Sequence, residues 1–252
     1  MARRRKQEST LPAPYLKRVW LDADRIDGPK TYPFVLPFLK DGFELEFEHR
    51  ITIIAGENGV GKSTLLEGLA ALAGFGMQGG NRDHARPHGD TSLPLDGDAL
   101  AVALRAAWLP KVTYGWFFRA ESFFSIARYL DDAGGGAGPD FLSYSHGEGF
   151  MRFFEERCNR PGVYIFDEPE SALSPSRQVE FLKLLRMMHL SEKCQVIMAT
   201  HSPMLMALPE AELLRMGKYG LEPTLLEDTD HFRMWREFCI SPANFVDSML
   251  DD

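Results

Sequence analysis

The chain has 252 residues, with 28 Lys and Arg against 36 Asp and Glu for a net charge of −8, and it is 44% hydrophobic and 12% aromatic. That composition is globular and long enough to bury a core, and it excludes collagen-like, low-complexity and disulfide-scaffold classes. Cys158, Cys194 and Cys239 are odd in number, far apart and without a Cys-x-x-Cys pair, which predicts neither a disulfide framework nor a zinc site and fits a reducing cytoplasm. No stretch approaches the ~20 apolar residues that span a bilayer, so no membrane insertion is expected.

Charge is unevenly distributed. Arg3, Arg4, Arg5 and Lys6 make a basic start, whereas residues 221–252 are strongly acidic. Residues 1–14 read as a flexible tail, with contact to nucleic-acid phosphates as the alternative. From residue 15 strand-like runs begin: 19–21, 34–39 and 43–47, the last with apolar/acidic alternation, together predicting an antiparallel sheet with one wet face. Residues 51–55 form a short β-branched run of the kind buried on both faces of a parallel sheet, and a helix is predicted over 63–72. Residues 74–98 read as a long insertion-like surface loop. His84 and His88 there have helical metal spacing but, in so loop-like a segment, read as solvated. Helices are predicted near 99–108, 121–130, 149–157 and 176–189, strands over 163–166 and 195–200, and a Gly-rich connector over 131–140. Alternating buried strands and helices after residue 50 predict an α/β fold with a mainly parallel core sheet flanked by helices, preceded by an N-terminal antiparallel β subdomain.

Gly56-Glu57-Asn58-Gly59-Val60-Gly61-Lys62-Ser63-Thr64 matches G-x-x-x-x-G-K-[ST], placed between a buried strand and a helix as the mechanism of a phosphate loop requires. The glycines let backbone N–H groups turn toward phosphates, and the following helix adds its positive end. Lys62 is expected at the β- and γ-phosphates, Ser63 on Mg²⁺, and Thr64 at the helix start near the α-phosphate. Downstream, four apolar residues from Val163 lead into Asp167-Glu168. A buried strand delivers these carboxylates to its C-terminal end, where α/β sheets bind ligands; Asp167 is expected on Mg²⁺ and Glu168 as the general base. ATP and Mg²⁺ are the cofactors so implied.

These segments resemble the ATP-binding-cassette ATPases. Asp167-Glu168-Pro169-Glu170-Ser171-Ala172-Leu173-Ser174 is similar to their Walker B and D-loop, and Thr200-His201-Ser202-Pro203 to their switch loop. Ser143-Tyr144-Ser145-His146-Gly147-Glu148-Gly149 resembles the signature loop in the Ser-x-Gly-Glu form of soluble SMC-, RecF- and repair-type members. The run Phe117 to Phe124 is similar to a group of small stand-alone bacterial ATPases. The resemblance implies a P-loop NTPase fold like an ABC ATPase head, with one ATPase domain over residues 15–252 and a signature-bearing helical part over about 99–160. It implies His201 at the γ-phosphate, and Ser145, Gly147 and Glu148 capping nucleotide held by the opposite subunit of a head-to-tail homodimer. The expected activity is a cytoplasmic Mg-dependent ATPase that clamps or releases nucleic acid or a second protein; the alternative is the ATP-binding subunit of a membrane ABC transporter. Against the alternative, the glutamine that transporter-type members carry between phosphate loop and signature is missing, Gln78 falling too early; Glu121 or Arg119 stands in its place. Ser174 replaces the usual D-loop aspartate. Tyr32 or Phe34 is the expected adenine-stacking aromatic, with a core role as the alternative. The span from 62 to 145 contains no heptads, which excludes a long coiled-coil arm in this chain.

Overall fold

The computed structural model describes residues 11–26, 28, 31–40, 42–76, 79–82, 96–120, 146–158 and 160–250. The basic start, His84, His88, Gln78, the helix expected near 121–130, the Gly-rich connector and Ser145 lie outside them.

Two sheets carry the fold. The smaller is antiparallel, with β1 (Leu16–Leu21) between β2 (Glu44–Glu46) and β4 (Leu104–Trp108). The larger has the order β5-β6-β7-β3-β8-β9, built from β5 (Gly115–Arg119), β6 (Gly162–Asp167), β7 (Cys194–Ala199), β3 (Ile51–Ala55), β8 (Glu212–Gly217) and β9 (Gly220–Pro223). Its first five strands are parallel, and β9 closes the edge as an antiparallel hairpin with β8. All residues of β3, β6 and β7 are buried, because helices cover both faces and leave no wet side for alternation.

Side chains of these strands point alternately into two cores. On one face Ile54, Ile165 and Ile197 meet Leu65, Leu66 and Leu69 of α1 (Lys62–Ala73). On the other, Tyr164, Phe166 and Met198 meet Phe153 and Phe154 of α3 (His146–Arg157) and Phe181 of α4 (Pro175–Leu190). Aromatic rings dominate the second core. Phe118 stacks on Phe166 at 4.8 Å, and Phe154 stands edge-on to Phe118 at 4.6 Å, geometries that suit ring quadrupoles. A buried glutamine joins the sheets: Gln195 Oε1 accepts the Tyr15 and Leu16 N–H groups at 2.9 and 2.8 Å, and its Nε2 donates to Leu16 O at 2.9 Å. All three cysteines are free thiols, as expected.

Three local expectations are corrected. Residues 34–39 form no strand; they turn and enter a short 3₁₀ helix at Pro37–Leu39, where Pro37 has no N–H to give a ladder. Residues 99–108 are not one helix. The α2 helix (Asp96–Ala103) begins inside the expected loop, stops at Ala103, and the chain continues as β4, which takes the free edge of β1 with Val19 opposite Ala106. Strand β5 and the β8-β9 hairpin have no counterpart in the expected elements. The acidic C-terminal part is helical in α6 (Asp230–Ile240) and α7 (Pro242–Leu250), which follow the short α5 (Pro203–Met206).

Candidate nucleotide site

The phosphate-type loop leaves β3 at Ala55 and enters α1 at Lys62. Gly61 at φ 105° is the residue before the helix, and a Cβ there would lie 2.7 Å from the Phe38 ring and 2.9 Å from Leu36, so only glycine fits. Glu57, Asn58 and Gly59 are exposed at the turn, Val60 is half-buried, and Lys62 and Thr64 are buried beneath it. The loop is therefore a cradle open to solvent with a buried cation at its floor.

Lys62 Nζ donates to Gly56 O at 2.8 Å and Glu57 O at 3.0 Å, and lies 2.9 Å from His201 Nε2. Burial lowers its pKa, opposed by the charges of Glu168, Asp167, Glu57 and Glu170. Ser63 Oγ donates to Asp167 Oδ1 at 3.1 Å, which brings the first turn of α1 to the end of β6. Burial pushes the Asp167 carboxyl up to about 6, against the opposing pull of Arg119. Glu168 follows at φ 48° and ψ 54°, the left-handed region, where its carboxylate lies 3.3 Å from His201 Nε2. Strand β7 runs between β3 and β6, so His201, just past its end, comes between Lys62 and Glu168. Its pKa is lowered by burial and by the Lys62 charge.

Other expected residues lie elsewhere or play structural parts. Gly147 is in the first turn of α3, and Glu148 makes its ion pair with Arg177 of α4 at 2.8 Å. Phe34 is a core residue, 6% exposed, whereas Tyr32 is 46% exposed and its hydroxyl meets Thr64 Oγ1 at 2.5 Å. Arg119, at the end of β5, stands beside Asp167 at 3.5 Å and pairs with Glu67 of α1 at 2.5 Å. Ser174 precedes α4, and its hydroxyl contacts Ser176 at 3.1 Å.

Three residues of the cluster escaped the sequence reading. Glu170 Oε1 accepts the His201 N–H at 2.5 Å and fixes the switch backbone; burial raises its pKa. Glu67 is an acid on an otherwise apolar buried helix face, a signal in itself, since a buried charge demands a partner. His231, the second residue of α6, reaches His201 Nδ1 at 2.8 Å and carries no motif that marks it.

Two family descriptions match this chain. "AAA domain" covers residues 33–98, which hold the loop from Gly56 to Thr64, and "AAA domain, putative AbiEii toxin, Type IV TA system" covers residues 123–207, which hold Asp167, Glu168 and His201. Together these matches support an ABC/AAA-like P-loop ATPase, which the chain resembles. The chain is 29% identical over 231 residues to the hemin import ATP-binding protein HmuV of Burkholderia thailandensis, covering 73% of this chain and 84% of that one. It is 22% identical over 209 residues to the zinc import ATP-binding protein ZnuC of Haemophilus influenzae, covering 75% and 71%. A 68-residue stretch is 35% identical to the OLD nuclease of Thermus scotoductus, 27% of this chain and only 13% of the nuclease. Among solved structures, a metal-chelate type ABC transporter aligns with TM-score 0.47 at 18% identity, over 87% of this chain and 88% of that one. The SMC head domain from Thermotoga maritima aligns with TM-score 0.47 at 15% identity, over 84% and 99%.

Proposed function

We propose that this ATPase hydrolyses Mg-ATP between two copies arranged head to tail and uses the cycle to clamp or release a partner, nucleic acid or protein, in the cytoplasm. In this reading residues 15–252 form one ATPase unit. The observation that carries it is the meeting of Lys62, the Ser63–Asp167 pair, Glu168 and His201 at the C-terminal ends of three neighbouring parallel strands. Ligands of open α/β sheets bind at that edge.

The Ser63 hydroxyl and Asp167 carboxylate are hard oxygen donors of the kind Mg²⁺ takes. Among the described residues no group of three or more His, Cys, Asp or Glu makes a self-contained metal site, which suits a cation completed by phosphate and water oxygens. Bound there, Mg²⁺ would offset phosphate charge. The backbone N–H groups from Glu57 to Thr64 cradle the phosphates, and Lys62 exchanges its carbonyl partners for the β- and γ-oxygens. Glu168 takes the proton of the attacking water, and His201 orients the γ-phosphate and water. Exposed Tyr32, beside Thr64, is the candidate platform for adenine. Ser145, Gly147 and Glu148 cap the nucleotide of the opposite subunit.

Support for the membrane-transporter alternative is weaker. The residue that β5 brings beside Asp167 is Arg119, not a glutamine.

The test is purified protein with ATP and Mg²⁺. Phosphate release should vanish in Lys62→Ala, and Glu168→Gln should accumulate as an ATP-bound dimer by light scattering. A Glu168→Gln protein that stays monomeric at saturating ATP overturns the dimer, and release unaffected by Lys62→Ala overturns hydrolysis at this site. Stimulation by single- or double-stranded DNA selects nucleic acid as the partner.

A further inference from the structure

His231 is held at a fixed point. Thr229, 2% exposed, accepts the Phe232 N–H at 3.3 Å and donates its hydroxyl proton to Leu226 O at 2.7 Å, which pins the start of α6. From there His231 Nε2 lies 2.8 Å from His201 Nδ1, with ring centroids 4.9 Å apart.

Proton positions in this chain of contacts follow from the lysine. An ammonium has three N–H donors and no lone pair. Lys62 directs two of its donors at Gly56 O and Glu57 O, and its third meets His201 Nε2 at 2.9 Å. Glu168 Oε1 lies 3.3 Å from the same nitrogen, but Lys62 is the nearer partner and has only hydrogens to offer, so His201 Nε2 accepts and the ring is neutral with its proton on Nδ1. Burial and the neighbouring Lys62 charge lower the pKa of His201 and outweigh the opposing Glu168 carboxylate, which favours that neutral ring. The Nδ1–H then donates to His231 Nε2, so the proton of His231 is on its own Nδ1.

On the hydrolysis reading above, we propose that His231 is a positioning residue that lets His201 exchange its tautomer, and then holds the new one, when Lys62 leaves Nε2 for the substrate phosphates. To donate to a γ-phosphate oxygen, His201 must carry hydrogen on Nε2, and its Nδ1 must then accept. The proton in the His201–His231 hydrogen bond crosses to His231 Nε2, His201 Nε2 takes one proton from water, and His231 Nδ1 releases one. The net charge of the pair is unchanged. A carboxylate in place of His231 would lock the Nδ1–H tautomer, since an ionised carboxylate only accepts; a second imidazole serves in both roles. His231 has access to water through a cavity of about 360 Å³ beside Gly56 and Glu57, lined also by Arg215, Lys218 and Asp230.

The experiment pairs ¹⁵N NMR of the histidine-labelled full chain with steady-state ATP turnover, in wild type, His231→Leu and His231→Gln. Wild type should show His201 as the Nδ1–H tautomer without nucleotide and as Nε2–H with Mg²⁺ and a non-hydrolysable ATP analogue. In His231→Leu the nucleotide-free protein should keep the Nδ1–H tautomer that Lys62 imposes, whereas with Mg²⁺ and the analogue it should show mixed tautomers, since no donor then meets Nδ1. Its kcat should fall about 10- to 100-fold, the scale for losing the partner that orients a working imidazole, with KM for ATP held within about twofold. Glutamine accepts through Oε1 and donates through Nε2, so His231→Gln should recover to within about threefold of wild type. A His231→Leu protein whose His201 still goes fully to Nε2–H with the analogue, or a glutamine variant as slow as the leucine variant, overturns the assignment. A wild-type protein without turnover overturns the hydrolysis reading alone, because both tautomers are read without hydrolysis.

Discussion

Ser63 and Asp167, 104 residues apart in the chain, meet at 3.1 Å between hydroxyl and carboxylate. Their meeting brings a buried acid to the first turn of a helix whose lysine is also buried, so the site concentrates charge in a place that desolvates it. The protein without nucleotide carries that cost as instability, which makes it measurable.

The first prediction concerns Asp167 and pH. Its ordinary value of 3.8 is pushed up to about 6, chiefly by burial. A carboxyl raised in the folded state binds more protons than it does unfolded, so stability falls as pH rises from about 4 to about 6 and the full penalty holds above that window. The penalty is on the order of 1–3 kcal/mol. Asp167→Asn should therefore melt roughly 4 °C above wild type at pH 7.5 in EDTA, without nucleotide, and the gap should shrink at pH 5. A gap of equal size at both pH values contradicts the assignment.

Glu168 should trade stability for activity. At φ 48° and ψ 54° it occupies a region that asparagine visits readily and a glutamate at a cost of about 1 kcal/mol. Glu168→Asn should raise the melting temperature of the nucleotide-free protein by roughly 2–4 °C and lower ATP turnover by at least about 100-fold. Calorimetry and a phosphate-release assay on one preparation read both; a lower melting temperature would refute the strain argument.

Gly61 offers a test of the cradle. A methyl there would press to 2.7 Å on the Phe38 ring and 2.9 Å on Leu36, at a backbone φ of 105° that favours glycine. Gly61→Ala should cost about 2–4 kcal/mol, seen as a lower urea midpoint with unchanged m-value, and should weaken nucleotide binding in equilibrium dialysis. Gly59, at φ 77° with no neighbour within 4 Å of an added Cβ, should lose less stability on the same substitution.

What the sequence makes legible follows from how local each signal is. The run from Ile51 to Ala55 has no charged residue and buries its one polar side chain, Thr52, because both its faces are covered, and Asp167-Glu168 interrupts an apolar strand where only a solvent edge or a site tolerates two acids. Leu104 to Trp108 misleads because its apolar spacing continues that of the preceding helix, and only the open edge of β1 makes it a strand. Strand β5 is hidden for the opposite reason: Trp116, Phe117 and Phe118 are buried in sequence, with no period to read. His231 reaches the cluster through the placement of α6, which no local pattern specifies, whereas Arg119 is marked only by the resemblance that puts it or Glu121 in place of the transporter glutamine.

The last prediction weighs the ion pair under the site. Arg119 is 16% exposed and faces two buried carboxylates, Glu67 at 2.5 Å and Asp167 at 3.5 Å. Replacing the arginine removes the shared cation, whereas replacing Glu67 leaves Arg119 still facing Asp167. Arg119→Met should therefore destabilise the protein by about 3 kcal/mol, and Glu67→Gln by only about 1 kcal/mol. In the double variant Arg119→Met/Glu67→Gln one of the stranded charges is gone, so its loss should be smaller than the sum of the singles. Chemical denaturation of the four proteins closes the cycle. Equal losses for the two single variants, or strict additivity in the double, would show that the arginine is held by packing of its stem rather than by the charges it faces.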